Sequence, residues 1–80
     1  MKLASAIATA ALLAFSAPAL ANKYVADSLN TADEAHKLGM DGCISVSNAI
    51  RAYNSPEIYG TNTVSRSEVA RYARRCNLRF

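Results

Sequence analysis

Two cysteines, one histidine and a cluster of arginines are the side chains of this 80-residue sequence with the most chemical potential. Cys43 and Cys76 are separated by 32 residues. Redox or nucleophilic thiols call for a Cys-x-x-Cys spacing or an adjacent activating base, and this spacing offers neither. In an exported chain two cysteines allow one intramolecular pairing, so a structural Cys43–Cys76 disulfide is expected. His36 stands beside Asp33 and Glu34. A metal centre wants three or four converging ligands, and with both cysteines committed His36 reads as a helix-surface residue. There is no glycine-rich phosphate loop and no motif that positions a pair of carboxylates. The chain also leaves little room for a pocket of enzymatic size. The expectation is a protein that is not an enzyme, with no catalytic residue, metal or cofactor.

The arginines are the most suggestive group. Arg66, Arg71, Arg74, Arg75 and Arg79 all fall within the last 15 residues, and every basic residue after Lys37 is arginine. Guanidinium favours bidentate contact with carboxylate or phosphate. The expected partner is therefore an acidic protein or an anionic envelope component. The plainer reading is a solvated helix face whose charge complements the helix C-terminus. A nucleic-acid partner is not expected. Residues 64–78 would supply only the first helix of a helix-turn-helix, with no recognition helix after it.

These groups need elements to position them. Ser65 and Glu68 form an S-x-x-E capping box, and Val64 and Val69 the matching hydrophobic staple. They predict a helix over about 66–76. At 100° per residue Val69, Tyr72, Ala73 and Cys76 share one arc, with Arg71, Arg74 and Arg75 opposite. Asn77 suits a left-handed helix end, with Leu78 folding back on the last turn. Cys43, Val46, Ala49, Ile50 and Tyr53 recur at helical spacing and predict a helix over about 43–54, with Ile44 as the one misplaced residue. The Asp41-Gly42 turn starts it and Ser55-Pro56 ends it, leaving one further turn over 56–59 before Gly60. Thr31 and Glu34 form a second capping box and Gly39 a suitable exit, predicting a short helix over about 31–38. Val25, Leu29, Ala32 and His36 extend an apolar face backward, but Asn30-Thr31 argues against a continuous helix. Tyr53 and Tyr72 are assigned to the core; Tyr59, beside Ile58 in the connection, reads as the exposed aromatic and an interface candidate, with a locally packed loop as the favoured reading.

The N-terminus reads as a cleavable signal peptide over residues 1–21. Lys2 precedes an apolar run over 3–15, Pro18 interrupts it, and Ala19-Leu20-Ala21 supplies the small residues of an A-x-A cut. A membrane span needs about 20 strongly apolar residues. Here nine of 21 are alanine, so no stable membrane span is expected after cleavage. The alanine-rich style points to a bacterial periplasmic or secreted product.

Residues 22–80 then form a single small mature domain. Eight basic residues stand against six acidic ones, a net +2, with residues 22–42 at −2 and 43–80 at +4. Leu, Ile, Val and Phe total only 11 of 59, close to the level where chains fail to fold. A bridge closing 34 residues is worth about 3.8 kcal/mol in the chain-entropy model. The whole stability expected for this length is about 3–9 kcal/mol. The expected architecture is all-α: an antiparallel helical hairpin with a short N-terminal helix, clasped by one disulfide. The expected role is that of a non-catalytic binding or accessory protein of the envelope. The alternative is a secreted cationic membrane-active or antagonistic peptide. Intact-mass analysis of exported material is expected to show a product beginning at Asn22, and a membrane-held species retaining Met1 would contradict the signal assignment.

Overall fold

A computed structural model describes residues 20–80; apart from Leu20 and Ala21, the expected signal peptide lies outside the described residues. Four helices follow in order: α1 Lys23–Lys37, α2 Cys43–Tyr53, α3 Pro56–Tyr59 and α4 Arg66–Arg75. The described residues contain no β-strand, only an isolated parallel bridge between Ala21 and Thr61. The class is all-α, and Cys43 is joined to Cys76 with their Cα atoms 5.6 Å apart. Because Cys43 opens α2 and Cys76 caps the end of α4, the bridge clasps the open end of the α2–α4 hairpin.

Local signals act as their chemistry requires. The Ser65 hydroxyl accepts from the Glu68 amide at 3.2 Å, capping α4 at one of its orphan N–H groups. The Glu68 carboxylate is drawn instead toward Arg71, 3.7 Å away. At the far end Asn77 adopts φ 57°. The Asn77 amide donates to the Arg74 carbonyl at 3.1 Å and the Leu78 amide to the Ala73 carbonyl at 2.8 Å, the paired bonds of a Schellman end. Leu78 thereby folds back onto the core. The end of α1 is built alike: Gly39 donates to His36 and Met40 to Ala35, at 3.0 and 2.9 Å. In α2 Val46 and Ala49 are buried as expected and Ile44 is 81% exposed, but the third buried position is Ala52, outside the expected stripe, while Cys43, Ile50 and Tyr53 are half-buried.

The N-terminal helix differs from expectation. It starts at Lys23 instead of 31 and is the longest element, with Asn30 and Thr31 in its interior. The capping box at Thr31 does not form. The Thr31 hydroxyl instead donates to the Asp27 carbonyl one turn back, at 2.9 Å, which satisfies the side chain within a continuous helix. Burial overrides the weak helix propensity of Asn30-Thr31, because Val25, Leu29 and Ala32 lie on one face and are all removed from water. The helix is thus half of the main packing interface rather than an appendage.

The core joins three helices. Val25, Leu29 and Ala32 come from α1, Val46, Ala49 and Ala52 from α2, and Val69, Tyr72 and Ala73 from α4. Ile50, Tyr53, Val64, Cys76, Leu78 and Phe80 pack around them. Phe80 meets Tyr53 edge to face at 5.3 Å. The turn into α2 brings two backbones close together. Gly42 has φ 70°, and a Cβ there would lie 2.6 Å from the Ala32 carbonyl oxygen. Gly39 also has a positive φ, 86°, but a Cβ there would meet nothing within 4 Å. Ala at Gly39 bears only the cost of a left-handed residue, about 1–2 kcal/mol. At Gly42 the backbone collision adds to it, so Gly42→Ala is expected to cost about 2–4 kcal/mol. Urea midpoints of the two single variants check this; equal losses would mean that α1 and α2 do not meet so closely at Ala32.

Candidate interaction face

The candidate face is built on α4. Its inward side chains Val69, Tyr72 and Ala73 are fixed in the core, which sets the direction of every other residue on the helix. Arg66, Arg71, Arg74 and Arg75 are exposed, and so is Arg79 beyond the helix end. Three of the five lie over aromatic rings. The Arg71 and Arg75 guanidiniums flank the Tyr72 ring at 5.5 and 4.9 Å from its centre, and that of Arg66 lies 4.4 Å from the centre of the Phe80 ring. Such contacts hold a long side chain in place while its N–H donors stay in water. Arg71 also faces Glu68, and Arg75 reaches Asp33 on α1 at 4.0 Å. Both pairs are exposed, the class of ion pair worth about 0–1 kcal/mol.

Arg71 and Arg75 therefore lie beside Tyr72 and touch its ring. Helical spacing put them on the opposite side of the helix from the core. A ring at the edge of the core extends sideways far enough for both guanidiniums to reach it. Arg71 and Arg74 join Ser65, Ser67 and Glu68 in lining a shallow surface depression of about 330 Å³. A second depression, about 430 Å³, lies over the disulfide and is lined by His36, Met40, Asp41 and Arg75 among others. Among the described residues no three His, Cys, Asp or Glu side chains come together as a possible metal site, and no helix is long and apolar enough to cross a membrane.

Two polar devices had no sequence signal. The first is Tyr72, whose hydroxyl donates to Asp33 Oδ2 at 2.8 Å, tying α4 to α1 next to Arg75. That hydrogen bond to a carboxylate, followed by burial, holds the tyrosine pKa above its ordinary value of 10.0. The second is Asn22, the side chain just before α1, which is 0% exposed. Its Nδ2 donates to the Ala52 carbonyl and to Asn62 Oδ1, both at 3.0 Å. Asn62 Nδ2 in turn donates to the Tyr53 carbonyl at 3.0 Å. The start of α1, the end of α2 and the 60–63 connection are thus held by two amides. Tyr59 is 37% exposed and rests against Tyr24 at 5.1 Å, leaving Ile58 as the outward residue of the pair, 71% exposed. Comparison with protein-family models, with curated proteins and with solved structures finds no match.

The Tyr72–Asp33 bond gives a signed pH dependence. The folded pKa lies above the unfolded one, so this stabilisation is complete below about pH 10 and is lost as pH rises through the folded pKa. Tyr72→Phe keeps the ring under both arginines and removes only the hydroxyl. It is expected to cost about 1–3 kcal/mol at pH 7 and to flatten the loss of stability above pH 10. Urea unfolding at neutral and alkaline pH tests both; an unchanged alkaline slope would place the titration elsewhere.

Proposed function

We propose that the chain is the precursor of a small exported, disulfide-clasped helical protein that binds, without catalysis, an acidic protein or an anionic envelope component through α4. Export is supported by two observations. The N-terminal segment carries the charge, apolar run and small-residue cut of a signal peptide. The Cys43–Cys76 bridge suits an oxidising compartment, where structural disulfides form and persist. The periplasm or the extracellular medium provides one.

The observation that carries the binding proposal is the placement of the guanidiniums. Arg66, Arg71 and Arg75 lie over rings that the fold itself orients. A side chain already restrained loses less freedom on docking, and planar guanidinium suits carboxylate or phosphate. The acidic residues of α1 and the arginines of α4 make the charge distribution uneven, which steers an anionic partner toward one side. The alternative, a cationic membrane-active peptide, is disfavoured by the net +2 and by apolar helix faces turned against one another in the core.

The test replaces Arg71, Arg74 and Arg75 together with Gln in the Asn22–Phe80 protein. The probes are immobilised polyglutamate and dye-loaded vesicles of anionic phospholipid. Three exposed ion pairs at about 0.5 kcal/mol each amount to roughly tenfold in affinity. The variant is expected to bind polyglutamate about tenfold more weakly, to lose less than about 1 kcal/mol of stability through the Arg75–Asp33 pair, and to keep its helical circular dichroism. Added salt should weaken the parent likewise, since exposed charges are screened beyond about 8 Å at physiological ionic strength. Unchanged binding and salt dependence would reduce the cluster to a solvated face, and vesicle leakage at low protein concentration would favour the membrane-active alternative.

A further inference from the structure

The bond that the proposed export route must cut is built into the fold. Leu20 and Ala21 run alongside Gly60 and Thr61 as a short strap. The Thr61 amide donates to the Leu20 carbonyl at 2.7 Å, and the Asn22 amide donates to the Thr61 carbonyl at 2.8 Å. This is the parallel bridge between Ala21 and Thr61. Gly60 makes the approach possible, because a Cβ at that position would strike the Leu20 carbonyl. The Ala21 carbonyl, the group a peptidase attacks, accepts from the Lys23 amide at 3.0 Å. Asn22, on the other side of the bond, has its side chain fully buried and held by Ala52 and Asn62. Lys23 is already helical.

A protease binds its substrate as an extended strand, pairing with backbone groups on both sides of the bond and seating the flanking side chains in its own pockets. Here those backbone groups are taken by Thr61 and Lys23, the Asn22 side chain is sequestered, and one residue further the chain is helix. We infer that the Ala21–Asn22 bond is cleavable only while the chain is unfolded, and that folding afterwards closes over the new N-terminus. This rests on the reading of Ala21 as the last residue of a signal peptide.

The reaction is a hydrolysis. Water, activated by the peptidase, adds to the Ala21 carbonyl carbon and the C–N bond breaks. Ala21 leaves as a carboxylate, and the Asn22 nitrogen takes up protons to become an ammonium. The cut also answers an oddity of the uncut chain. Asn22 Oδ1 is buried and has no hydrogen-bond partner among the described residues, and the single proton on the Asn22 nitrogen is given to Thr61. Cleavage leaves that nitrogen with two additional protons and removes Leu20 and Ala21 from beside the orphaned acceptor. Cleavage therefore comes first, and folding around Asn22 follows it.

The experiment uses the full 80-residue chain in two states: oxidised and folded, and reduced, alkylated and unfolded, with circular dichroism to verify each. Both are incubated with a purified signal peptidase of the general secretory route, and products are read by intact mass. When opening is fast, cleavage tracks the population of the open form. The unfolded chain is expected to be cut after Ala21, and the folded chain about 100-fold more slowly or less. Equal rates would overturn the inference while leaving the signal assignment intact. Failure to cut the unfolded chain would remove the signal assignment, and the inference with it. Asn22→Ala provides a local check. It deletes the side-chain anchor but keeps a small residue after the cut, and it is expected to raise the rate in the folded, oxidised form at unchanged helix content. An unchanged rate in that variant, with helices retained, would show that the anchor does not guard the bond.

Discussion

Among the described residues, nine buried apolar side chains hold three helices together, and seven of them are alanine or valine. That scarcity of bulk constrains everything else. Small side chains bury useful area only when helix backbones come close, so α1 must approach the turn into α2 until the Ala32 carbonyl faces Gly42. A core of this kind leaves stability marginal for so short a chain. The Cys43–Cys76 bridge offsets the shortage. It restricts the unfolded chain and ties the start of α2 to the end of α4 at the open end of the hairpin.

Polar groups complete what the thin core leaves open. The two amides of Asn22 and Asn62 hold the end of the molecule opposite the disulfide, binding the start of α1 to the end of α2 and to the connection leading to α4. Tyr72 joins α4 to α1 through Asp33. These bonds work because they are buried or partly so; a hydrogen bond to a charged group shielded from water contributes more than an exposed ion pair. The molecule is therefore clasped covalently at one end and by side-chain amides at the other.

The same arrangement links stability to the arginine face. Tyr72 is at once a core residue, the partner of Asp33, and the ring over which Arg71 and Arg75 lie. The orientation of two guanidiniums thus follows from the packing of one side chain. Phe80 serves Arg66 in the same way while also packing against Tyr53. A face of this kind is presented by the fold as a whole, and single exposed charges on it carry little of the stability.

Much of the fold was legible in the residues because the signals were local. Ser65 with Glu68, Gly39, Asn77 with Leu78, and the Ser55-Pro56 break each act within one turn of their own position, so their chemistry needs no tertiary partner. The cysteine positions and the helical phase of Val46, Ala49 and Val69 were readable for the same reason, and they determined an all-α hairpin with a bridge at its open end. What only the tertiary structure decided involves groups far apart in sequence. Asn30 and Thr31 are helical because Val25 and Leu29 find α2 to bury against, a gain that local propensity does not contain. Asn22 is an anchor because Ala52 and Asn62, 30 and 40 residues away, arrive beside it. Arg71 and Arg75 flank Tyr72, where helical phase alone set them apart, because contact depends on the reach and tilt of side chains at the edge of a packed core, and a helical wheel carries neither.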